Sequence, residues 1–146
     1  TIYAEFADPK TVAAGGPAIA EKIPYWAYLT YKLGFNMVKF LNKITGQVLY
    51  LGGFNLAFRR NTFLTLGGYH TYLDFGGDEL DVLNRLKKVG RIVFQTEAYM
   101  FVSTRRYRVG FIKWLFVHCL YYYVLNYWLS SIFKRPIIHA QPVRNI

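Results

Sequence analysis

An α/β domain followed by a hydrophobic, aromatic helix is the architecture this sequence predicts, and three observations carry it. Short β-type runs, "TVAAGG" (11–16), "RIVFQ" (91–95) and "AYMFVS" (98–103), alternate with stretches of helical period. Residues 25–44 form the longest such stretch, basic on one side and apolar on the other. Finally, residues 114–133 run for twenty positions without a formal charge. At 146 residues the chain makes one domain or part of one, with an α/β portion over 1–107 and a hydrophobic helix with a basic tail over 108–146.

Charge and composition narrow the partners. Eighteen Lys and Arg face eight Asp and Glu, a net charge of +10, with 53% apolar residues and 19% aromatic. Such a balance points to an anionic partner. The positive mean hydropathy favours a membrane surface over nucleic acid, for which no recognised motif is present. Cys119, the only cysteine, excludes an internal disulfide and a cysteine-based metal site, and fits a cytosolic, reducing side. No signal-peptide pattern is visible, and "TIYAEFADPKTVAAGGP" reads as a chain entered partway through a fold.

The elements follow in order. "TVAAGG" reads as a strand running into a Gly-Gly-Pro turn. After Pro24, Lys32, Asn36, Lys39 and Lys43 share one helical face, while Trp26, Leu29, Leu33, Met37, Phe40, Leu41 and Ile44 supply the apolar side. That pattern is either a helix lying in a membrane interface or a surface helix with a solvated lysine face. "QVLYLGG" (47–53) reads as a strand, "FNLAFRR" as a second extended piece, and "NTFLTLGGY" as a short helix closed by glycine. A helix over 78–89 precedes the last two strands.

The run 114–133 would span roughly 30 Å as a helix, about the hydrocarbon thickness of a bilayer. Arg105, Arg106, Arg108 and Lys113 precede it, and Lys134 and Arg135 follow. Positive charge on both sides leaves its orientation open. His118, Tyr122, Asn126 and Ser130 form a polar stripe, which a spanning helix would pack on protein and an interfacial helix would show to water. Lys32, Lys39, Lys43, Trp114, Tyr127 and Trp128 are the expected membrane-facing residues.

Asp74, Asp78, Glu79 and Asp81 are half of all the acids in this cationic chain, gathered in eight positions. Acids at a helix start complement its dipole, as Lys87 and Lys88 do at its end. Gly76 and Gly77 stand immediately before Asp78 and permit a tight turn and a close approach. A carboxylate there can serve as a general base towards an acceptor hydroxyl, provided burial counteracts the dipole's lowering of its pKa.

The stretch "GGFNLAFRRNTFLTLGGYHTYLDFGGDELDVLNRLKKVGRIVF" resembles the second half of a family 2 glycosyltransferase catalytic domain of the GT-A type, Rossmann-like in fold. Four motifs carry the likeness, over about residues 46–106. They are Gly53, Asn55, Ala57, Phe58, Arg59 and Arg60; then Gly67, Gly68 and Tyr69; then the acidic pair Asp78 and Glu79; then Arg85, Leu86 and Gly90. The family's pair is usually Glu-Asp, with the Asp as base, and here the order is reversed. Glu79 holds the base position and Asp78 its neighbour, and either can be the base. "STRRYR" resembles the family's diphosphate-binding segment, through Ser103, Arg105 and Arg106, whose guanidinium forks suit phosphate. The alternative for that cluster is lipid headgroup binding.

The resemblance implies an inverting, membrane-associated hexosyltransferase that uses a nucleotide sugar. Its acceptor would be lipid-linked, such as a polyprenyl phosphate or a glycolipid, or a glycan, contacted near Gly52, Gly53, Asn55, Gly76 and Gly77, at the cytoplasmic side of the cell membrane. Mg²⁺ or Mn²⁺ would be held mainly by an Asp-x-Asp in a nucleotide-binding half that this sequence does not contain, so no metal site is expected here. His70, His118 and His139 are scattered and read as non-ligating, His70 lying nearest the acids. The alternative is a non-catalytic module that binds membranes through its basic and aromatic faces.

Overall fold

Thr11–Gly15 forms strand β1, buried at every position, because its small residues let layers close on both faces. The computed structural model describes residues 1–20, 22–73, 77–103, 107 and 110–138. β2 is Ala18–Ile19, β3 Leu56–Phe58, β4 Arg91–Phe94 and β5 Met100–Phe101. β3 pairs antiparallel with one edge of β1 and β4 parallel with the other, while β2 and β5 form a separate parallel pair. The chain is thus mixed helix and strand with small sheets.

Helix α1 (Tyr25–Thr45) ends at Gly46, whose φ of +67° and N–H to Asn42 O close the last turn. α2 (Arg60–Thr65) ends before Gly67 and Gly68, both in the left-handed region. α3 (Asp78–Leu86) buries Val82, Leu83 and Leu86 against β1 and β4. These residues join Val12, Ala13, Val38, Val48, Leu51, Ile92 and Phe94 in the core. Arg85 locks α3 to the end of α2: it pairs with Asp81 at 2.7 Å and donates to Leu66 O and Gly68 O, each at 2.6 Å. Arg59 ties the amino-terminal segment down through Thr11 O, Phe6 O and Asp8 O, a structural role.

Two sequence expectations change. "QVLYLGG" forms no strand; Val48 and Leu51 are buried but unpaired in a ladder, and a 3-10 turn at Gly53–Asn55 follows. Both edges of β1 are already taken by β3 and β4, so the apolar run marks burial and not strand pairing. The charge-free run is helical but divided: α4 (Phe111–Lys113), a π-helical stretch (Trp114–Leu125) and α5 (Asn126–Phe133). Among the described residues no helix is long and apolar enough to cross a membrane. Its tyrosines, His118, Asn126 and Ser130 dilute the apolar content. Asn126 and Ser130 are buried on protein, where Ser130 Oγ and Ile138 N donate to Asn126 Oδ1 at 3.0 and 3.2 Å.

Helix α1 has three faces. Ala27, Tyr31, Phe35 and Val38 turn inward, with Tyr31 stacking on Phe35 and Phe35 meeting Phe94 at a tilt. The lysine face is exposed, as expected. The third face, with Leu33 67%, Met37 59%, Phe40 62% and Ile44 64% exposed, is apolar and uncovered. Trp26 joins α1 to the later helix through Tyr107, Phe111 and Trp114, at 5.4–5.6 Å between ring centroids.

Candidate active site

The acids are organised by two glycines. Gly77 caps α3 with φ +84°, a conformation that L-residues adopt at a cost, and a Cβ there would collide with the ring of Tyr127. Tyr127, expected to face the membrane, therefore packs on the start of α3 and is half-buried. Gly53, in the turn before β3, donates its N–H to Glu79 Oε1 at 3.2 Å. A Cβ on Gly53 would stand 2.7 Å from that oxygen, so only glycine leaves the carboxylate in place.

Burial is what tunes Glu79. Desolvation first, then the hydrogen bond and charge of neighbouring Asp78, push its carboxyl up to about 7, against the pull of the Gly53 N–H. The lowering expected from the helix start is outweighed. Its second oxygen, Oε2, is buried and has no hydrogen-bond partner. Tyr50, from the segment before Gly52, is pushed up to about 12 by burial and by the charge of Glu79. Tyr123, from the π-helical stretch, is raised still further by burial, by Tyr50 and by Glu79. Tyr50 lies near enough to perturb it, but Tyr123 Oη is buried without a well-formed hydrogen bond. Tyr69 borders the acids and is raised by burial and by Asp78 and Glu79.

The arrangement holds a carboxyl that exchanges its proton near neutrality, beside phenols that stay protonated. Asp78 and Glu79 are brought together, with Gly53 and Gly77 shaping the site. Gly52 is buried with no room for a Cβ beside the Phe54 ring. Asn55 is buried and spends its amide nitrogen on Ala98 O at 2.7 Å, as a tether between segments. Asp81 serves the fold, with Arg85 on one side and His70 Nδ1 at 3.0 Å on the other. His70 also meets Tyr72 Oη at 2.9 Å. Ser103 is exposed beyond β5. Asp74, Gly76, Arg105, Arg106, Arg108 and His139 lie outside the described residues.

Lys32, Lys39, Lys43 and Trp128 are exposed, whereas Trp114 is half-buried in the aromatic cluster with Trp26. Sequence reasoning missed Tyr50 and Tyr123. Tyr50 sat in an apparent strand and Tyr123 in a run of three tyrosines that read as a membrane girdle, so neither carried a signal of its own. Among the described residues no group of His, Cys, Asp or Glu could hold a metal ion. The resemblance puts the ligands of Mg²⁺ or Mn²⁺ mainly in a half outside this sequence, and no step is derived through the ion. Comparison with protein-family models, curated proteins and solved structures finds no match to this chain.

Proposed function

We propose that this chain is the acceptor-side part of a membrane-associated inverting glycosyltransferase, with the Asp78–Glu79 pair as its base. The observation that supports it is the buried Glu79 carboxyl, anchored by Gly53 N–H and poised at about 7. In the reaction, an acceptor oxygen attacks the anomeric carbon of a nucleotide-bound hexose as its proton passes to Glu79. The bond from that carbon to the nucleoside diphosphate breaks, and the diphosphate leaves with the electron pair. Ser103, Arg105 and Arg106 are proposed to receive the diphosphate, and a nucleotide-binding half outside these residues to hold the nucleoside. The acceptor is lipid-linked or glycan, met at the cytoplasmic face of the cell membrane.

The test is transfer from radiolabelled nucleotide hexoses in membranes that contain the chain. Glu79→Gln is expected to lose at least about a hundredfold in turnover while nucleotide affinity is kept, with Asp78→Asn intermediate. Full activity in both variants refutes the assignment.

A second reading, a non-catalytic membrane-binding module, is favoured by the exposed apolar face of α1 beside Lys32, Lys39 and Lys43. It predicts binding to anionic vesicles that weakens with salt and is indifferent to both acids.

A further inference from the structure

The helical run from Phe111 to Phe133 is packed along its length on the rest of the protein. Trp114 meets Trp26 of α1 at 5.4 Å between ring centroids, Tyr127 lies on Gly77 at the start of α3, and Asn126 and Ser130 are buried. Just past its end, Lys134 Nζ donates to Tyr72 Oη at 3.3 Å. The side turned away from these contacts is apolar. Ile112, Phe116, Leu120, Val124, Trp128 and Ile132 follow one another at i+4 and are 44–73% exposed. An α turn takes about 3.6 residues and a π turn reaches one residue further. A run that mixes the two therefore keeps an i, i+4 series in one row. The row is about 30 Å long at a rise of about 1.5 Å per residue, and a continuous exposed apolar surface marks an interaction site.

Charge selects the occupant. Lys113 and Arg135 are exposed near the two ends of the row, as are Lys32, Lys39 and Lys43 on α1. Neither helical segment contains an acid, and none follows Glu97 in the sequence. A second copy pairing symmetrically through this row would bring the same cations together, whereas anionic lipid complements them. Trp128 and Tyr121, both exposed, suit the headgroup boundary, where one end of the ring is apolar and the other wet.

We propose that the row from Ile112 to Ile132 lies flat in the boundary between headgroups and acyl chains of an anionic bilayer, so that this helix runs along the membrane and does not cross it. The inference rests on the membrane association proposed above and adds a second surface to the face of α1. The two faces bind as a linked pair, so removing either one releases the chain. The packing carries a consequence for the site. The protein-facing side of the same helix holds Tyr127 on Gly77, so the start of α3 stands about one helix diameter, about 10 Å, from the lipid. That puts Asp78 and Glu79 at the height where a lipid-linked acceptor is presented.

Depth along the row tests this. In a Cys119→Ser background, nitroxide labels are attached at Ile112→Cys, Phe116→Cys, Val124→Cys, Trp128→Cys and Ile132→Cys, exposed positions whose replacement spares the core. Lys87→Cys, exposed at the end of α3, is the reference. Electron paramagnetic resonance with oxygen and a nickel chelate reads each depth on vesicles of phosphatidylglycerol and phosphatidylcholine. The five labels are expected at one shallow level, about 5–10 Å into the boundary, with the Lys87 label in water and attachment lost on phosphatidylcholine alone. Unsubstituted chain supplies a second measurement: lipids brominated near the headgroup should quench its tryptophans more than lipids brominated near the chain ends. Depths that change steadily by about 1.5 Å per residue through the bilayer centre overturn the inference, as do labels left in water on bound vesicles. Labels shielded from the chelate without vesicles indicate a second copy and overturn it too. Transfer from a nucleotide hexose with the labels in water rejects this inference alone; the expected depths without transfer reject the enzyme reading alone.

Discussion

Glu79 makes stability depend on pH in a direction opposite to that of most carboxylates. Its carboxyl rises from 4.5 in the unfolded chain to about 7 in the folded one. Between these values the folded state keeps a proton that the unfolded state has released. Stability then falls as pH rises, because the slope follows protons bound in the unfolded minus the folded state. The full contribution is present below about pH 4.5 and has been lost once pH passes about 7. At about 1.4 kcal/mol per tenfold, the rise corresponds to about 3 kcal/mol. Glu79→Gln keeps an oxygen for the Gly53 N–H while removing the titration. The variant should therefore be more stable than wild type by about 3 kcal/mol at pH 8, and level with it near pH 4.5. Urea denaturation at several pH values, followed by tryptophan fluorescence, measures the difference. If wild type and Glu79→Gln decline in parallel from pH 5 to 8, Glu79 is not a buried, neutral-poised carboxyl and the site is misread.

Three further perturbations address the frame around the site. Gly77→Ala should cost at least about 1–2 kcal/mol for its φ of +84°, and part of the remaining loss should vanish in a Tyr127→Ala background, as thermal melts of the double cycle will show. Arg85→Met leaves Asp81 and two carbonyls without their donor, with both charged side chains about one-fifth exposed; a loss of about 3 kcal/mol is expected in chemical denaturation. Replacing Leu33, Met37 and Phe40 with serine should abolish sedimentation with anionic vesicles while raising solubility, because these side chains are exposed and carry no core packing.

Local chemistry was enough to define most elements of this protein. The small apolar residues of Thr11–Gly15, the helical period from Tyr25, and the glycines after α2 all specify their conformation within a few neighbours. The acids at the start of α3 were also legible, because residue type and spacing alone distinguish them. What the chain's order could not express was distance across the fold. Leu33, Met37 and Phe40 mark the apolar side of α1 by period, but α1 reaches the core with Ala27, Tyr31, Phe35 and Val38, since a helix wheel has no label for which side meets the sheet. "QVLYLGG" has strand composition but no free edge to pair with. Asp81 and Glu79, two residues apart, part company only in three dimensions. One turns to Arg85, whereas the other is buried under Tyr50 and Tyr123, residues 29 and 44 positions away in the chain. Sequence placed the carboxyls; desolvation, which exists only once distant segments close over them, decided that one of them holds its proton near neutral pH.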